Sequence, residues 1–229
     1  MSITQNLQAV LGRISSIRPG AKLLAVSKTF GPEAVLEAYK AGQRQFGENY
    51  VQEGVAKIEA LKASCPDIIW HFIGPLQSNK TRPVAEHFDW VQSIDRLKIA
   101  QRLSEQRPAG MPDLNVLLEI NIDAAPTKSG IRPEEVREAV LAVGSLPRLK
   151  LRGFMAIPDP KPEEAAVRAD FARLKAIFDE ANRAGAKLDV LSMGMSADYP
   201  LALEEGATMV RVGSAIFGAR HYPAGRQAR

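Results

Sequence analysis

Lys28 closes a short apolar run, Leu23-Leu24-Ala25-Val26-Ser27-Lys28-Thr29. Side chains alternate along a strand, so Leu24, Val26 and Lys28 share one face. If that face is the inside of a barrel, the amine is partly desolvated. Desolvation disfavours the ammonium form and makes the amine a nucleophile toward aldehydes. The competing reading is a strand-end lysine snorkelling to solvent, which position alone favours. Near the other end, Ser192-Met193-Gly194-Met195-Ser196-Ala197-Asp198 and Arg211-Val212-Gly213-Ser214-Ala215-Ile216-Phe217-Gly218 bring glycines and hydroxyls together after two further apolar runs. Gly213 would let the backbone approach an anion closely, and Ser196 and Ser214 have hydroxyls to donate. Arg211 has the strand parity of Gly213 and so faces the same space. Its plainer alternative is an ion pair with a carboxylate such as Glu119. A Schiff-base-capable lysine facing a phosphate cradle describes a site for a phosphorylated aldehyde.

Other polar groups close other apolar runs. Asn49, in Phe46-Gly47-Glu48-Asn49-Tyr50, has the chemistry to position a ligand, although capping the following helix is the stronger expectation. His71 stands beside Trp70 and reads first as a packed, hydrogen-bonded core residue. The Gly-Pro turn and Gln77-Ser78-Asn79 that follow suit a polar lid or an ordinary loop. His71, His87 and His221 are far apart, and the single cysteine, Cys65, has no partner for a bridge. No Cys/His pair has metal-ligand spacing, so zinc is not expected.

These groups need elements to position them, and the chain alternates. Strand-length apolar runs recur at Leu23–Thr29, Gln45–Gly47, Ile68–Gly74, Trp90–Ile94, Leu114–Ile122, Leu149–Ile157, Val190–Met195 and Met209–Phe217. Helical patterns lie between them. Val167, Phe171, Leu174, Phe178 and Ala181 step by four and three within Glu163–Gly185. Pro32 opens a helix that Gly42 closes, Pro133 opens another, and Asp95 is the expected N-cap of a third. Ser2-x-x-Gln5 resembles a capping box for an extra N-terminal helix. Eight strand–helix units predict an α/β fold, a closed (β/α)₈ barrel, in which chemistry sits at the C-terminal ends of the strands. An open doubly wound sheet is the runner-up, disfavoured because no G-x-G-x-x-G follows the first strand.

Of the 229 residues, 45% are hydrophobic and 24% charged, which excludes a disordered, collagenous or disulfide-scaffold chain. The net charge of +4 is mild and interleaved. Only Arg220–Arg229 is one-sidedly basic, so a nucleic-acid partner is not expected. No apolar run approaches the roughly 18 residues of a membrane span, and Gln5, Asn6 and Gln8 interrupt any signal-peptide core. The sequence predicts a cytoplasmic protein without a membrane partner.

Several long blocks carry a family resemblance. Ala25-Val26-Ser27-Lys28-Thr29, the segment Phe46 to Glu53, the segment Trp70 to Lys80, Gly153-Phe154-Met155-Ala156-Ile157-Pro158, the segment Leu191 to Ser196 and the segment Arg211 to Gly218 together resemble the pyridoxal phosphate homeostasis proteins across nearly the whole chain. The resemblance implies one domain over residues 1–229, similar to the N-terminal barrel of alanine racemase and binding pyridoxal 5′-phosphate (PLP). It implies that Lys28 forms the internal aldimine and that Ser196, Gly213 and Ser214 hold the phosphate. Arg211 would face the pyridine nitrogen and Asn49 would lie near the ring, with Ser192 and His71 as further contacts. The chain departs from the family at Phe30-Gly31-Pro32, where relatives often have a second basic residue. The implied role is a monomeric carrier that limits free aldehyde and delivers PLP to apoenzymes without turnover. An amino-acid racemase is the alternative. Racemisation needs an acid/base group on each face of Cα, and the resembling racemases draw their second base, a tyrosine, from a C-terminal β domain. This sequence ends shortly after its eighth strand, and Tyr199 and Tyr222 are the nearest candidates. A lysine aldolase acting on a sugar phosphate fits the barrel and cradle alone, but not a strand-one lysine.

Overall fold

The computed structural model describes residues 1–123 and 125–219; the basic tail, with His221 and Tyr222, lies outside them. Helix α1 (Ile3–Ile17) begins at the expected capping box. The Ser2 hydroxyl accepts from the Gln5 N–H at 3.1 Å, and the Gln5 side chain accepts from the Ser2 N–H at 3.0 Å. The first half of the barrel runs β1 (Lys22–Val26), α2 (Pro32–Lys40), β2 (Gln45–Glu48), α3 (Val51–Leu61), β3 (Ile69–Phe72), α4 (Thr81–His87), β4 (Trp90–Ile94) and α5 (Leu97–Gln106). The second runs β5 (Leu114–Glu119), α6 (Val136–Gly144), β6 (Leu149–Met155), α7 (Glu164–Arg183), β7 (Val190–Ser192), α8 (Tyr199–Glu204), β8 (Met209–Val212) and α9 (Ser214–Phe217). The strands are parallel and close in chain order, with β8 pairing back onto β1 through Leu24 opposite Arg211 and Ala25 opposite Val212.

Alternation along the strands sorts the core into two layers. Leu24, Val26, Ile73, Trp90, Leu117, Met155, Val190 and Met209 form one buried cluster, which the strand parity places inside the barrel. Leu23, Ala25, Phe46, Phe72, Phe154 and Val210 belong to the second cluster, against the helices, where Phe171, Leu174 and Phe178 supply the stripe of α7. Each fully buried side chain of this size stabilises the fold by roughly 1.5–3 kcal/mol.

The apolar runs overreach the strands. β1 stops at Val26, because Thr29 adopts φ +69°, which leaves the extended path. β8 stops at Val212, and Ser214–Phe217 is a helical turn whose Ile216 and Phe217 are buried. A short apolar run reads alike in a strand and in a buried first turn of helix. Asp95 is not the cap of α5. The cap position is Arg96, and the Asp95 carboxylate accepts from that arginine instead.

Candidate functional site

Lys28 lies two residues beyond β1, half-buried at the C-terminal mouth of the barrel. The turn is closed by the Phe30 N–H donating to Ser27 O at 3.1 Å. Because the strand has ended, the parity argument no longer aims the side chain; the turn does. Phe30, where the family blocks diverge, packs its ring against Phe217 with centroids 5.3 Å apart, tying this turn to α9.

Arg211 is 4% exposed in β8. It pairs with neutral groups: one guanidinium nitrogen donates to Ser192 Oγ at 2.8 Å and another to Ala156 O at 3.0 Å. The expected alternative, an ion pair with Glu119, does not form, and that carboxylate acts on Arg211 only electrostatically. Burial pulls the guanidinium down to about 10, which leaves it charged at neutral pH. Ser192, at the end of β7, donates its hydroxyl hydrogen bond to Gln92 Oε1 at 2.7 Å. The Gln92 amide nitrogen then meets His71 Nδ1 at 3.0 Å. His71 is fully buried and stacked on Trp90, and burial holds it down to about 3, hence neutral. Arg211, Ser192, Gln92 and His71 thus form one polar chain inside the barrel, with His71 its deep end.

The loops after β7 and β8 meet as the spacing predicts. The Gly213 N–H donates to Ser196 Oγ at 3.3 Å, and Ser214 is exposed at the start of α9. A Cβ at Gly213 would stand 3.1 Å from Val26 O, a tight contact that the β1 backbone would have to yield to by a few tenths of an ångström. Asn49 is not a helix cap. The cap of α3 is Tyr50, and the Asn49 side-chain oxygen is buried without a hydrogen-bond partner. Thr29 Oγ1 is likewise buried and unpaired. Two unpaired polar atoms, a hydroxyl and an amide oxygen, flanking the Lys28 turn suit a polar ligand seated there. A Cβ at Gly74 would fall 2.1 Å from Asn49 O, so the glycine lets β3 close against Asn49.

Across the barrel from β1, a cavity of about 740 Å³ opens at the ends of β5 and β6, lined among others by Glu119, Asn121, Lys128 and Asp159. Burial around Lys128 works against its charge, but the Asp123 and Asp159 carboxylates prevail and hold the ammonium form. Glu119 is pushed up to about 7 by burial and by Asp95, against the pull of Arg211 and Lys128. Native Glu119 therefore keeps its proton between its ordinary value of 4.5 and about 7, where the unfolded chain has lost it. Stability contributed by this group falls as pH rises through that window. Glu119→Gln should make the ligand-free protein more stable than wild type at pH 8, by up to about 3 kcal/mol, and change little at pH 4. Urea unfolding at both pH values checks this; parallel losses in the two proteins would assign the slope to another group.

The residues that sequence reasoning missed are Gln92, Glu48, Glu53 and Lys57. Gln92 shares the parity of Trp90, which faces the barrel interior, and a lone amide two residues along that row was the signal. Lys57 bridges Glu48 and Glu53, but Glu53 and Lys57 read as an ordinary surface i,i+4 pair. Tyr199, the described tyrosine weighed as a second base, is buried in the outer layer with Arg13 of α1 near it. Among the described residues no group of three His, Cys, Asp or Glu could hold a metal ion.

Comparison with known proteins agrees with this architecture. The chain matches the family described as alanine racemase, N-terminal domain, over residues 2–221. It is 54% identical over 230 residues to the pyridoxal phosphate homeostasis protein of Pseudomonas aeruginosa, covering 97% of this chain and 98% of that one. PipY of Synechococcus elongatus, solved with PLP bound, superposes with a TM-score of 0.85 at 38% identity, covering 95% of this chain and 100% of PipY. An alanine racemase of Clostridium difficile shares the fold at 18% identity and a TM-score of 0.77, with 61% of its own length covered. On its closed parallel barrel and on identity over nearly its full length, this chain belongs to the pyridoxal phosphate homeostasis proteins, within the alanine racemase N-terminal domain family.

Proposed function

We propose that this chain binds pyridoxal 5′-phosphate, holds its aldehyde as an aldimine of Lys28, and releases it to apoenzymes. By that cycle it limits free aldehyde in the cytoplasm, acting as a single-domain monomer without turnover. The observation that carries this reading is the closure of β8 onto β1, which sets the Lys28 turn beside buried Arg211 and the Ser196–Gly213–Ser214 loops. Lys28 supplies the amine. Arg211 supplies a fixed donor, held by Ser192 and Ala156, for the ring nitrogen. Ser196, Gly213 and Ser214 supply hydroxyl and backbone donors for the phosphate. Asn49 Oδ1 remains to accept from a donor on the ligand. The carrier reading is favoured over a racemase by the burial of Tyr199 in the outer layer, against the helices. Among the described residues no helix is long and apolar enough to cross a membrane.

The visible spectrum of the purified protein, before and after borohydride, is the test. A yellow band that reduction fixes onto the peptide containing Lys28 is expected. A protein that stays colourless with added PLP would end this reading.

A further inference from the structure

The turn that carries Lys28 is gripped by charged side chains with no assigned part in binding. Lys57 of α3 is 4% exposed, and its ammonium donates to Ser27 O at 2.7 Å and to Glu48 Oε1 and Glu53 Oε1 at 2.8 Å each. The Ser27 hydroxyl donates to the same Glu48 oxygen at 2.5 Å. Glu53 Oε1 also accepts the Thr29 N–H at 2.5 Å. One ammonium and two carboxylates therefore hold the residue before Lys28 and the residue after it.

The backbone between them is strained. Thr29, a β-branched residue at φ +69°, is one of three non-glycine residues with positive φ among the described residues. The other two, Arg148 and Lys187, precede β6 and β7, at the end of the barrel opposite the mouth. Strain of this kind persists only where the surroundings over-determine it. At Thr29 the determining contact is the bond from its N–H to Glu53.

We propose that Glu53 is a positioning residue for Lys28. By fixing the Thr29 peptide, and through Lys57 the Ser27 carbonyl, it sets where the amine can reach while the phosphate rests in the β7–β8 loops. This rests on the proposed function, because it takes Lys28 as the capturing amine. In the capture, the Lys28 nitrogen bonds to the aldehyde carbon and the aldehyde oxygen leaves as water. Starting from the ammonium, the positive charge ends on the protonated imine. Glu53 exchanges no proton in that step; its contribution is geometric.

Removing Lys57 would strand the buried Glu48 carboxylate. Glu53, whose side chain is 28% exposed, is the residue to change. In the full chain, Glu53→Ala and Glu53→Gln are titrated with two ligands: PLP and 4′-deoxypyridoxine 5′-phosphate, which has a methyl group in place of the aldehyde. Glu53→Ala should weaken PLP binding by about tenfold, the size of one lost charge-assisted hydrogen bond, with less borohydride fixation at Lys28. Binding of the deoxy compound should not change. Glu53→Gln, which keeps an acceptor for the Thr29 N–H, should restore PLP binding. Wild-type affinity for PLP in Glu53→Ala, or an equal loss for both ligands, would overturn the positioning role while fixation of the wild type at Lys28 stood. A wild type that fixes no PLP at Lys28 would overturn the proposed function, and this role with it.

Discussion

Lys28→Ala should abolish the covalent link to PLP and leave a weaker, non-covalent affinity. The groups proposed for the phosphate, Ser196, Gly213 and Ser214, belong to the loops after β7 and β8, and their mutual hydrogen bond does not involve the β1 turn. Arg211 is likewise fixed by Ser192 and Ala156 and not by the lysine. Titration of the variant should give the spectrum of a free aldehyde that still saturates, and borohydride should fix nothing. An unchanged imine band would make another lysine the carrier, Lys80 or Lys128 being the ones to map. Lys128 is a poor nucleophile while Asp123 and Asp159 hold its charge.

The loaded protein should exchange the Cα hydrogen of amino acids slowly or not at all. Arg211 is buried, charged and a donor only, so a ring nitrogen that meets it must accept a hydrogen bond and stay unprotonated. Such a ring withdraws less charge from Cα than one paired with a carboxylate. Racemisation also needs a second base opposite the lysine, and Tyr199 is packed between barrel and helices. Loss of one proton-transfer partner costs about 10²–10⁴-fold in rate. The measurement is exchange in deuterated water at stoichiometric protein, across a panel of amino acids. Rapid exchange with inversion would restore the racemase.

Both expectations draw on residues legible in the sequence, for a definite reason. Lys28 and Ser196 stand at the ends of apolar runs and Gly213 follows β8, and in a parallel barrel the strand ends converge. Arg211 was visible as a charge of interior parity. The unread residues act through contacts that spacing does not encode. Glu48 looked like part of a polar cluster entering a helix, yet it is fully buried, and burial raises its carboxyl while Lys57 pulls it back. Asn49 was expected to cap α3 because that is the common use of an asparagine before a helix. The cap passed to Tyr50 and left the Asn49 oxygen unpaired. Strand ends were overdrawn for a similar reason: periodicity reports burial, and Ile216 and Phe217 are as buried in the helical turn after β8 as they would be in a strand.

The closure of the barrel also fixes when the site can exist. Asn6 of α1 donates its side-chain amide to Ile216 O of α9 at 2.9 Å, across 210 residues of chain, and β1 pairs with β8 in the same region. On a ribosome the Lys28 segment emerges before β8, as an ordinary solvated lysine. Its neighbours Arg211 and Gly213 are made only after β2 to β7. Contacts so distant in sequence form late, after their loop-closure entropy has been met. Under the proposed function the nascent chain therefore has no selective hold on an aldehyde, and cofactor loading must follow the docking of the eighth strand.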